Sequence, residues 1–349
     1  MTERIDNILR AAIEFKASDI HLTVGVPPIF RINGDIKRYG KEMLLPADTE
    51  AIAKQIIPDN LWGQFKDKGE LDFSYGIPGV SRFRVNAYHQ RKSVSLALRV
   101  VASKTPTLED LDLPEIIPKL VEKPQGLILV TGPTGSGKST TLASMIDYMN
   151  RTMRKHIITL EDPIEYLHKH GNSIIDQREV GFDTQNYASG LKAALRQDPD
   201  VILVGEMRDL ETIGIAITAA ETGHLVFGTL HTSSAPATIN RIIDVFPPAQ
   251  QPQIRVQLAS VLVGVISQRL FPTVDNKGRR AATEILVNNP AIANLIRNEK
   301  IHQIQSTMQT SRAQGMHTLE MSIRDLLDRN IIQKEAATKY LQEKMMMDA

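Results

Sequence analysis

The feature that most constrains the fold is a glycine-rich stretch at residues 132–140, which reads GPTGSGKST. It matches the pattern G-x-x-x-x-G-K-[ST] and lies between an apolar run, Leu127–Thr131, and a helix predicted from about Lys138 to Met149. In this order the three pieces form a phosphate-binding unit, because glycines let successive backbone N–H groups turn toward an anion at the helix N-terminus. The sequence therefore predicts a nucleotide site in an α/β fold.

Every residue of this loop is a predicted nucleotide ligand through its backbone or its side chain. They are Gly132, Pro133, Thr134, Gly135, Ser136, Gly137, Lys138, Ser139 and Thr140. Lys138 is expected to reach the β- and γ-phosphates of ATP, and the hydroxyl of Ser139 is expected to bind Mg²⁺. ATP and Mg²⁺ are thus the cofactors that the motif implies.

Composition limits the remaining function classes. The chain has 349 residues, enough for about two domains, and its 41 Lys+Arg nearly balance 40 Asp+Glu. Such a balance argues against a protein that coats nucleic acid or anionic membranes. The absence of cysteine excludes disulfides, thiolate zinc sites and Cys nucleophiles. No apolar run approaches the ~18 residues of a membrane span, and the N-terminus reads as an amphipathic helix rather than a signal peptide. We expect a soluble intracellular protein.

The distribution of prolines and of apolar runs divides the chain into two domains. Residues 1–102 read as a small α/β domain that includes a hairpin turn at Asn33-Gly34. Residues 103–125 contain four prolines and are predicted to form a Pro-rich linker. In residues 126–349 short apolar strands alternate with helices, which predicts a parallel sheet with crossover helices. From about Pro247 onward the pattern is mostly helical.

A carboxylate motif follows the apolar run Val201–Val204, which has the form of a Walker B strand. Gly205 stands where the usual Asp would be, and Glu206 comes next. A carboxylate at this strand end would lie beside the γ-phosphate. We predict that Glu206 is the general base; the alternative is that it only completes the Mg²⁺ shell. Arg208 and Asp209 follow, either as a structural ion pair or as functional groups.

Three more acidic residues, Glu161, Asp162 and Glu165, follow an apolar strand between these two motifs. Like charges this close are costly unless a cation lies among them. We therefore assign them to the magnesium and water shell, with Glu161 as a possible Mg²⁺ contact. A solvated loop is the alternative.

A histidine stands at each end of the apolar strand that spans residues 225–230. The spacing of His224 and His231 does not resemble a helical metal pair, so a zinc site is not expected. We predict that these histidines act as sensors at the γ-phosphate. The alternative is that each one only satisfies backbone groups at a strand end.

Arginines of the N-terminal domain are candidates for a role between subunits. Arg82 and Arg84 share one face of a strand, and Arg99 follows on the next strand. Such a face is commonly only solvated. In a ring NTPase, however, an arginine supplied across a subunit boundary contributes about 10³–10⁵ in rate. The sequence does not show which of these three arginines would reach the neighbouring subunit.

Four motifs in order now resemble one family. GPTGSGKSTT, ITLEDPIEY, RQDPDVILVGEMRD and TGHLVFGTLHTSSA are similar to the Walker A, Asp box, Walker B and His box of the secretion-superfamily ATPases of type II secretion and type IV pili. ASDIHLTVGVPPIFRINGDI, SRFRVNAYHQ and QRLFP extend the resemblance over nearly the whole chain and point to the pilus-retraction branch. Relatives that extend pili or secrete proteins are generally longer at the N-terminus, and many carry a four-cysteine zinc module.

The resemblance implies a homo-hexameric ring. Each chain would have a PAS-like N-terminal domain and a RecA-like P-loop domain with a helical C-terminal extension, with ATP bound between the domains and across subunits. The implied function is ATP hydrolysis that drives pilus retraction and twitching motility. The implied partners are an inner-membrane platform protein and possibly a paralogous pilus ATPase, with no nucleic acid. The implied location is cytoplasmic, at the inner membrane beneath the pilus.

One motif departs from the retraction pattern AIRNLIRE. Residues 291–298 read AIANLIRN, so that Ala293 and Asn298 replace an Arg and a Glu. The apolar helical face is kept and two charges are lost. The departure motivates an alternative in which the chain is a regulatory or accessory paralogue of a pilus motor. A pilus-assembly or secretion ATPase and a nucleic-acid translocase are further alternatives.

Overall fold

The computed structural model describes residues 2–32, 34–101 and 104–348. The chain divides into two compact units. One comprises Met1–Lys104 and Pro163–Leu167, and the other comprises Thr105–Asp162 and His168–Ala349. The chain therefore passes from one unit to the other three times, after residues 104, 162 and 167.

The first unit is a six-stranded antiparallel sheet with helices on one face. Its elements are α1 (Thr2–Glu14), β1 (Asp19–Leu22), β2 (Ile29–Ile32), β3 (Asp35–Arg38), α2 (Pro46–Ile56), α3 (Asp59–Lys68), β4 (Glu70–Ile77), β5 (Ser81–Gln90) and β6 (Ser93–Val100). The strand order is β3-β2-β1-β6-β5-β4. Alternate residues of β5, such as Phe83 and Val85, are buried in the core with the helices, whereas Arg84 between them is exposed.

The predicted hairpin in this unit joins β2 and β3, which pair with Ile32 opposite Asp35. Gly34 in its turn has a φ of 88°, a conformation that favours glycine. Asn33 lies outside the described residues.

The second unit is built on a seven-stranded sheet of order β13-β12-β7-β11-β10-β8-β9. Its elements are α4 (Ile116–Val121), β7 (Gly126–Thr131), α5 (Lys138–Thr152), β8 (His156–Glu161), β9 (Ile174–Glu179), α6 (Tyr187–Ala194), β10 (Val201–Val204), α7 (Leu210–Glu221), β11 (Leu225–Leu230), α8 (Ala235–Asp244), α9 (Gln251–Val261), β12 (Leu262–Pro272), β13 (Arg279–Val287), α10 (Pro290–Arg297), α11 (Ile304–Thr310), α12 (Leu319–Asp328), α13 (Lys334–Asp348) and the short 3₁₀ helices Ile301–Gln303 and Arg312–Gln314. Only the pairing of β12 with β13 is antiparallel among its described strands. The predicted α/β fold with a parallel sheet is confirmed.

Both faces of this second sheet are buried, which explains its nearly continuous apolar strands. Alternate residues of β7 enter different cores. Leu127 and Leu129 pack with helices α6 to α10, and Ile128 and Val130 pack with α4 and α5. In the ranges that the structure describes, no helix is both long enough and apolar enough to cross a bilayer.

Two parts of the second unit differ from the sequence-based expectation. Residues 103–125 were expected to be a connector, but from Thr105 onward they belong to the second unit, where α4 buries Ile117 and Leu120. Pro118 is compatible with this helix because it lies in the first turn, where its missing N–H costs no helical bond. Ala102 and Ser103, at the expected boundary, lie outside the described residues. The mostly helical pattern expected after Pro247 is interrupted by the long strands β12 and β13.

Candidate active site

The parallel strands of the second unit bring several predicted site residues to one edge of the sheet. Thr131 at the end of β7 pairs with Leu230 at the end of β11. Val204 at the end of β10 pairs with Leu160 of β8. The phosphate loop, Glu161, Glu206 and His231 each follow or end one of these strands, so all four begin at the carboxyl edge.

The phosphate loop needs its glycines because a neighbouring strand lies against it. Gly132 and Gly137 have φ angles of 143° and 91°. A Cβ on Gly132 would lie 2.4 Å from the carbonyl oxygen of Gln268, and one on Gly137 would lie 3.0 Å from Nε2 of the same residue. The buried Gln268 side chain also donates a hydrogen bond from Nε2 to the Ser136 carbonyl, at 2.7 Å. Strand β12 therefore holds the loop in shape.

The loop presents positive charge where a phosphate would bind. Nζ of Lys138 donates to the carbonyl oxygens of Gly132 and Pro133 at 2.8 and 3.1 Å, which holds the ammonium group over the loop. Gly137 is the N-cap of α5, so the N-terminus of that helix faces the same place. Backbone N–H groups, helix dipole and ammonium together suit a nucleotide phosphate.

The residues also fit a magnesium ion held mainly by a nucleotide. Ser139 is exposed on the first turn of α5, next to Lys138. Within residues 4–32, 34–101 and 104–342, whose side chains are described, no group of three or more His, Cys, Asp or Glu could hold a metal ion. Mg²⁺ in phosphate sites typically takes one or two protein ligands and completes its shell with phosphate oxygens and water. A hydroxyl from Ser139 is consistent with that arrangement.

Glu206 is the centre of a charged cluster at the end of β10. Its Oε1 accepts a hydrogen bond from Nε of Arg208 and lies 2.8 Å from Nε2 of His231. Both contacts end on Oε1, and Oε2 has no hydrogen-bond partner among the described residues. The hydrogen bond to Glu206 raises the pKa of the exposed Arg208 guanidinium. Arg208 does not pair with Asp209, which instead caps α7 by accepting from the Thr212 N–H at 2.8 Å.

Gly205 occupies the usual Asp position of this motif because the fold leaves no room for a side chain. A Cβ there would lie 2.9 Å from the Leu160 carbonyl oxygen and 3.0 Å from the Tyr187 hydroxyl. Burial, followed by the negative charges of Asp162, Glu206 and Glu161, raises the pKa of Tyr187 well above its usual range. This phenol thus faces the acidic side chains of the site. No sequence motif marks it.

The three predicted acidic residues after β8 are assigned to two different units of the chain. Oε1 of the half-buried Glu161 accepts hydrogen bonds from Oγ1 of Thr159 at 2.7 Å and from Nε2 of Gln177 at 3.0 Å. Asp162 is exposed beside it, whereas Glu165 belongs to the segment Pro163–Leu167 of the first unit. The assignment of these three carboxylates to a magnesium and water shell remains a prediction.

The two predicted histidines have different environments. His231 contacts Glu206 at the carboxyl edge, as described above. His224 precedes β11 at the amino edge, where its carbonyl accepts from the Gly126 N–H and its Nδ1 lies 3.0 Å from the Ala219 carbonyl oxygen. A six-residue strand, about 20 Å long, separates it from the carboxyl edge. Within its own chain His224 therefore lies at the edge opposite the phosphate loop and contacts backbone groups, and the sensor role remains a prediction.

The predicted arginines lie in the first unit on the solvent face of its sheet. Arg84 of β5 is exposed and stands opposite Arg99 of β6. Nε of Arg99 donates to Oδ1 of Asp19 at 2.9 Å. Burial opposes ionisation of Asp19, but hydrogen bonds from Arg99 and Ser18 lower its pKa. Arg82 lies on the same strand face. The role of all three remains a prediction.

A cavity of about 440 Å³ opens beside the start of α5. It is lined by Gly137, Thr140 and Thr141 on one side and by Arg279 and Arg280 of β13 on another. Its size is that of small-ligand sites, and it touches the loop that suits phosphates. The cavity therefore has the place and dimensions for the nucleoside part of a nucleotide.

Comparisons with known proteins agree with this geometry. The type II/IV secretion system protein family matches residues 1–346. The type IV pilus retraction ATPase PilT of Pseudomonas aeruginosa is 47% identical over 333 residues, which cover 95% of this chain and 96% of that protein. A twitching motility protein of Neisseria gonorrhoeae is 47% identical over 320 residues, covering 92% and 86%. A crystal structure of the pilus retraction motor PilT with bound ADP is 50% identical, with a TM-score of 0.88 and 95% of both chains covered.

Sequence and fold thus agree over nearly the whole length of the chain and of these relatives. This chain belongs to the type II/IV secretion system protein family.

Proposed function

We propose that this chain is an ATPase that drives retraction of type IV pili. The observation that carries the proposal is the pairing of Glu206 with His231 at the same sheet edge as a complete phosphate loop. It occurs in a chain whose relatives, matched over most of their length, are a pilus retraction ATPase and a twitching motility protein.

Each site residue at the carboxyl edge of the second sheet has a distinct role in ATP hydrolysis. The loop N–H groups and Lys138 bind the β- and γ-phosphates, and the Ser139 hydroxyl holds Mg²⁺, which when bound neutralises charge on the phosphate oxygens. Oε2 of Glu206 takes the proton of the attacking water, while His231 on Oε1 fixes the orientation of the carboxylate. Glu161 and Asp162 would orient water around a bound Mg²⁺.

The motor works as a homo-hexamer in which arginines of the first unit complete a neighbouring site. Arg84 and Arg99 are both exposed, and Arg84 is the stronger candidate because Arg99 is already paired with Asp19. We place the ring in the cytoplasm at the inner membrane, bound to a pilus platform protein and possibly to a paralogous pilus ATPase. Its near-neutral charge gives no support to a nucleic-acid partner.

The accessory-paralogue alternative is not favoured by the region that motivated it. Ala293 is buried in the core on α10, where the helix keeps its apolar face. Nδ2 of Asn298 donates to the Asn294 carbonyl at 2.9 Å and so closes the helix. The next residue, Glu299, supplies a carboxylate 3.3 Å from Nε of Arg255. Both departures are therefore accommodated within an intact element.

Two substitutions test the enzymatic part of the proposal. Lys138→Ala should abolish nucleotide binding. Glu206→Gln should bind ATP like the unaltered protein and turn it over about 10²–10⁴-fold more slowly, because the amide cannot accept the proton. Phosphate release and titration with a fluorescent nucleotide measure the two effects. Glu211→Gln, an exposed carboxylate on α7, is the matched control. Unaltered turnover in Glu206→Gln would reject the assignment of the base.

The direction of the motor is tested in cells. With Lys138→Ala at the native locus, we expect an excess of surface pili that never shorten. Absence of pili would instead identify an assembly motor and contradict the retraction proposal.

A further inference from the structure

One row of the second sheet is polar although it lies in the core. Thr131 of β7 pairs with Ser267 of β12, which pairs with Glu284 of β13. The three residues are 0%, 1% and 3% exposed. The neighbouring row on the same face of the sheet is apolar. It consists of Leu129 of β7, Val265 of β12 and Leu286 of β13. A buried polar row in such surroundings is costly unless its groups are hydrogen-bonded.

Hydroxyl groups connect this row to the loop after β11. Oγ1 of Thr131, the residue before the phosphate loop, lies 2.6 Å from Oγ of Ser267. Oγ1 of Thr238 on α8 lies 3.5 Å from Oγ1 of Thr131 and donates its hydrogen to the nearer Ser234 carbonyl, at 2.7 Å. The same Oγ1 of Thr238 lies 2.6 Å from Oγ1 of Thr232, the residue after His231. The contacts therefore run from beneath the phosphate loop to the segment that carries His231.

Glu284 binds the N-termini of two helices at once. Its Oε1 accepts from the Ala235 N–H at 2.7 Å, and its Oε2 accepts from the Leu319 N–H at 3.4 Å. Ala235 and Leu319 are the first residues of α8 and α12. A carboxylate at a helix N-terminus satisfies an N–H that lacks an intrahelical partner and interacts favourably with the helix dipole.

Only three residues separate His231 from Ala235, so the first turn of α8 determines where His231 stands. We propose that Glu284 is a positioning residue for hydrolysis. By fixing the start of α8 it holds His231 on Glu206, and it links that contact to the start of α12 in the C-terminal helical region. The inference rests on the proposed function, in which His231 orients Glu206.

The test replaces the buried carboxylate by an amide. In Glu284→Gln only one terminal atom can accept, so one of the two helix N–H groups loses its partner. We expect kcat for ATP to fall between about 10- and 100-fold, as for other small misplacements of catalytic groups, with KM and nucleotide affinity within about twofold. Asn150→Ala is the matched control. Asn150 is also buried and hydrogen-bonded, but it lies near the C-terminus of α5, far from the phosphate loop. It should lower Tm and leave kcat unchanged.

A double substitution shows whether Glu284 acts through His231. If it does, Glu284→Gln should cause no further loss of kcat in a His231→Ala background. An equal loss in both backgrounds, or a lower Tm with normal kcat, would overturn the inference. Normal kcat in His231→Ala alone would refute both the proposed role of His231 and this inference. The ATPase assignment would not be affected, because Glu206→Gln tests it separately. If Glu284→Gln does not fold, Glu284→Asp keeps the charge and both acceptor oxygens but withdraws them from the two helix N–H groups by one methylene, and it should give the same pattern; normal kcat there would count against the inference.

Discussion

At the scale of single residues, the site shows how a missing side chain can be as necessary as a charged one. Gly205 lies where the ends of β8 and β10 approach the Tyr187 hydroxyl, and a methyl group there would collide with backbone and phenol. Glu206, one position later, therefore supplies the carboxylate of this strand end.

Gly205→Ala should be destabilising by about 1–3 kcal/mol because the added Cβ overpacks this point. Urea unfolding measures the cost. Gly76→Ala, at a strand position with open space around it, should cost less. Adding Tyr187→Phe to Gly205→Ala should recover part of the loss, because the hydroxyl is one of the two colliding atoms. No recovery would assign the strain to the Leu160 carbonyl alone.

The residues of the site that the sequence predicts are those that lie next to their strand. The phosphate loop, Glu206 and His231 each follow a short apolar run, and parallel strands place such positions at one edge. His224 stands at the other end of the same strand, at the edge opposite the phosphate loop of its own chain. Gln268 and Tyr187 were missed because their contacts with Ser136 and Gly205 come from elements distant in sequence.

At the scale of elements, the amino end of β8 is held by a histidine that contacts one carboxylate and one backbone carbonyl. Nε2 of His156 lies 3.0 Å from Oδ2 of Asp176 on β9, and Nδ1 lies 3.0 Å from the Asp198 carbonyl oxygen. Burial opposes protonation, but these hydrogen bonds outweigh it and raise the pKa of His156. When it is protonated, His156 therefore ties β8 to β9.

The stabilisation from this pair should depend on pH. Because the pKa is raised in the folded state, the contribution is complete below the ordinary pKa of 6.5 and is lost as pH rises through the folded pKa. Asp176→Asn should lower the free energy of unfolding by at most about 1 kcal/mol in mild acid, since Asp176 is largely exposed. The difference from the unaltered protein should shrink above neutral pH. A difference that grows with pH would contradict this assignment.

Elements were less predictable where their partners are remote. The apolar strands that alternate with helices in residues 126–230 predict a parallel sheet. In contrast, β12 and β13 are stabilised by pairing of β12 with β7 and of β13 with β12, which no local pattern indicates. Likewise, prolines in residues 103–125 indicate interrupted structure, yet burial of Ile117 and Leu120 against the sheet decides where those residues belong.

At the scale of the whole molecule, the proposed ring requires that one chain complete the site of another. Arg84 and Arg99 stand opposite each other in the first unit, and only Arg99 has an acidic partner, Asp19, among the described residues. Like charges directly opposite on a sheet are destabilising. An anion contributed by another subunit would relieve that repulsion.

Mixing two inactive variants tests this arrangement. Arg84→Ala and Lys138→Ala should each lose ATP turnover alone, and turnover should partly return in mixed rings, where some sites combine an intact loop with an intact arginine. Specific activity should also rise with protein concentration as rings form. Arg91→Ala, in the turn between β5 and β6, is a control that should remain active. If mixing restores nothing while Arg84→Ala is inactive, Arg84 acts within its own chain.

The division of the chain has a consequence for its modularity. Because Pro163–Leu167 belongs to the first unit while the residues on both sides belong to the second, no single cut separates the two. A fragment that begins at Thr105 would carry this segment without the rest of its unit, directly after Glu161 and Asp162. Exchange of the first unit between relatives by simple gene fusion should therefore fail unless this short segment is exchanged with it.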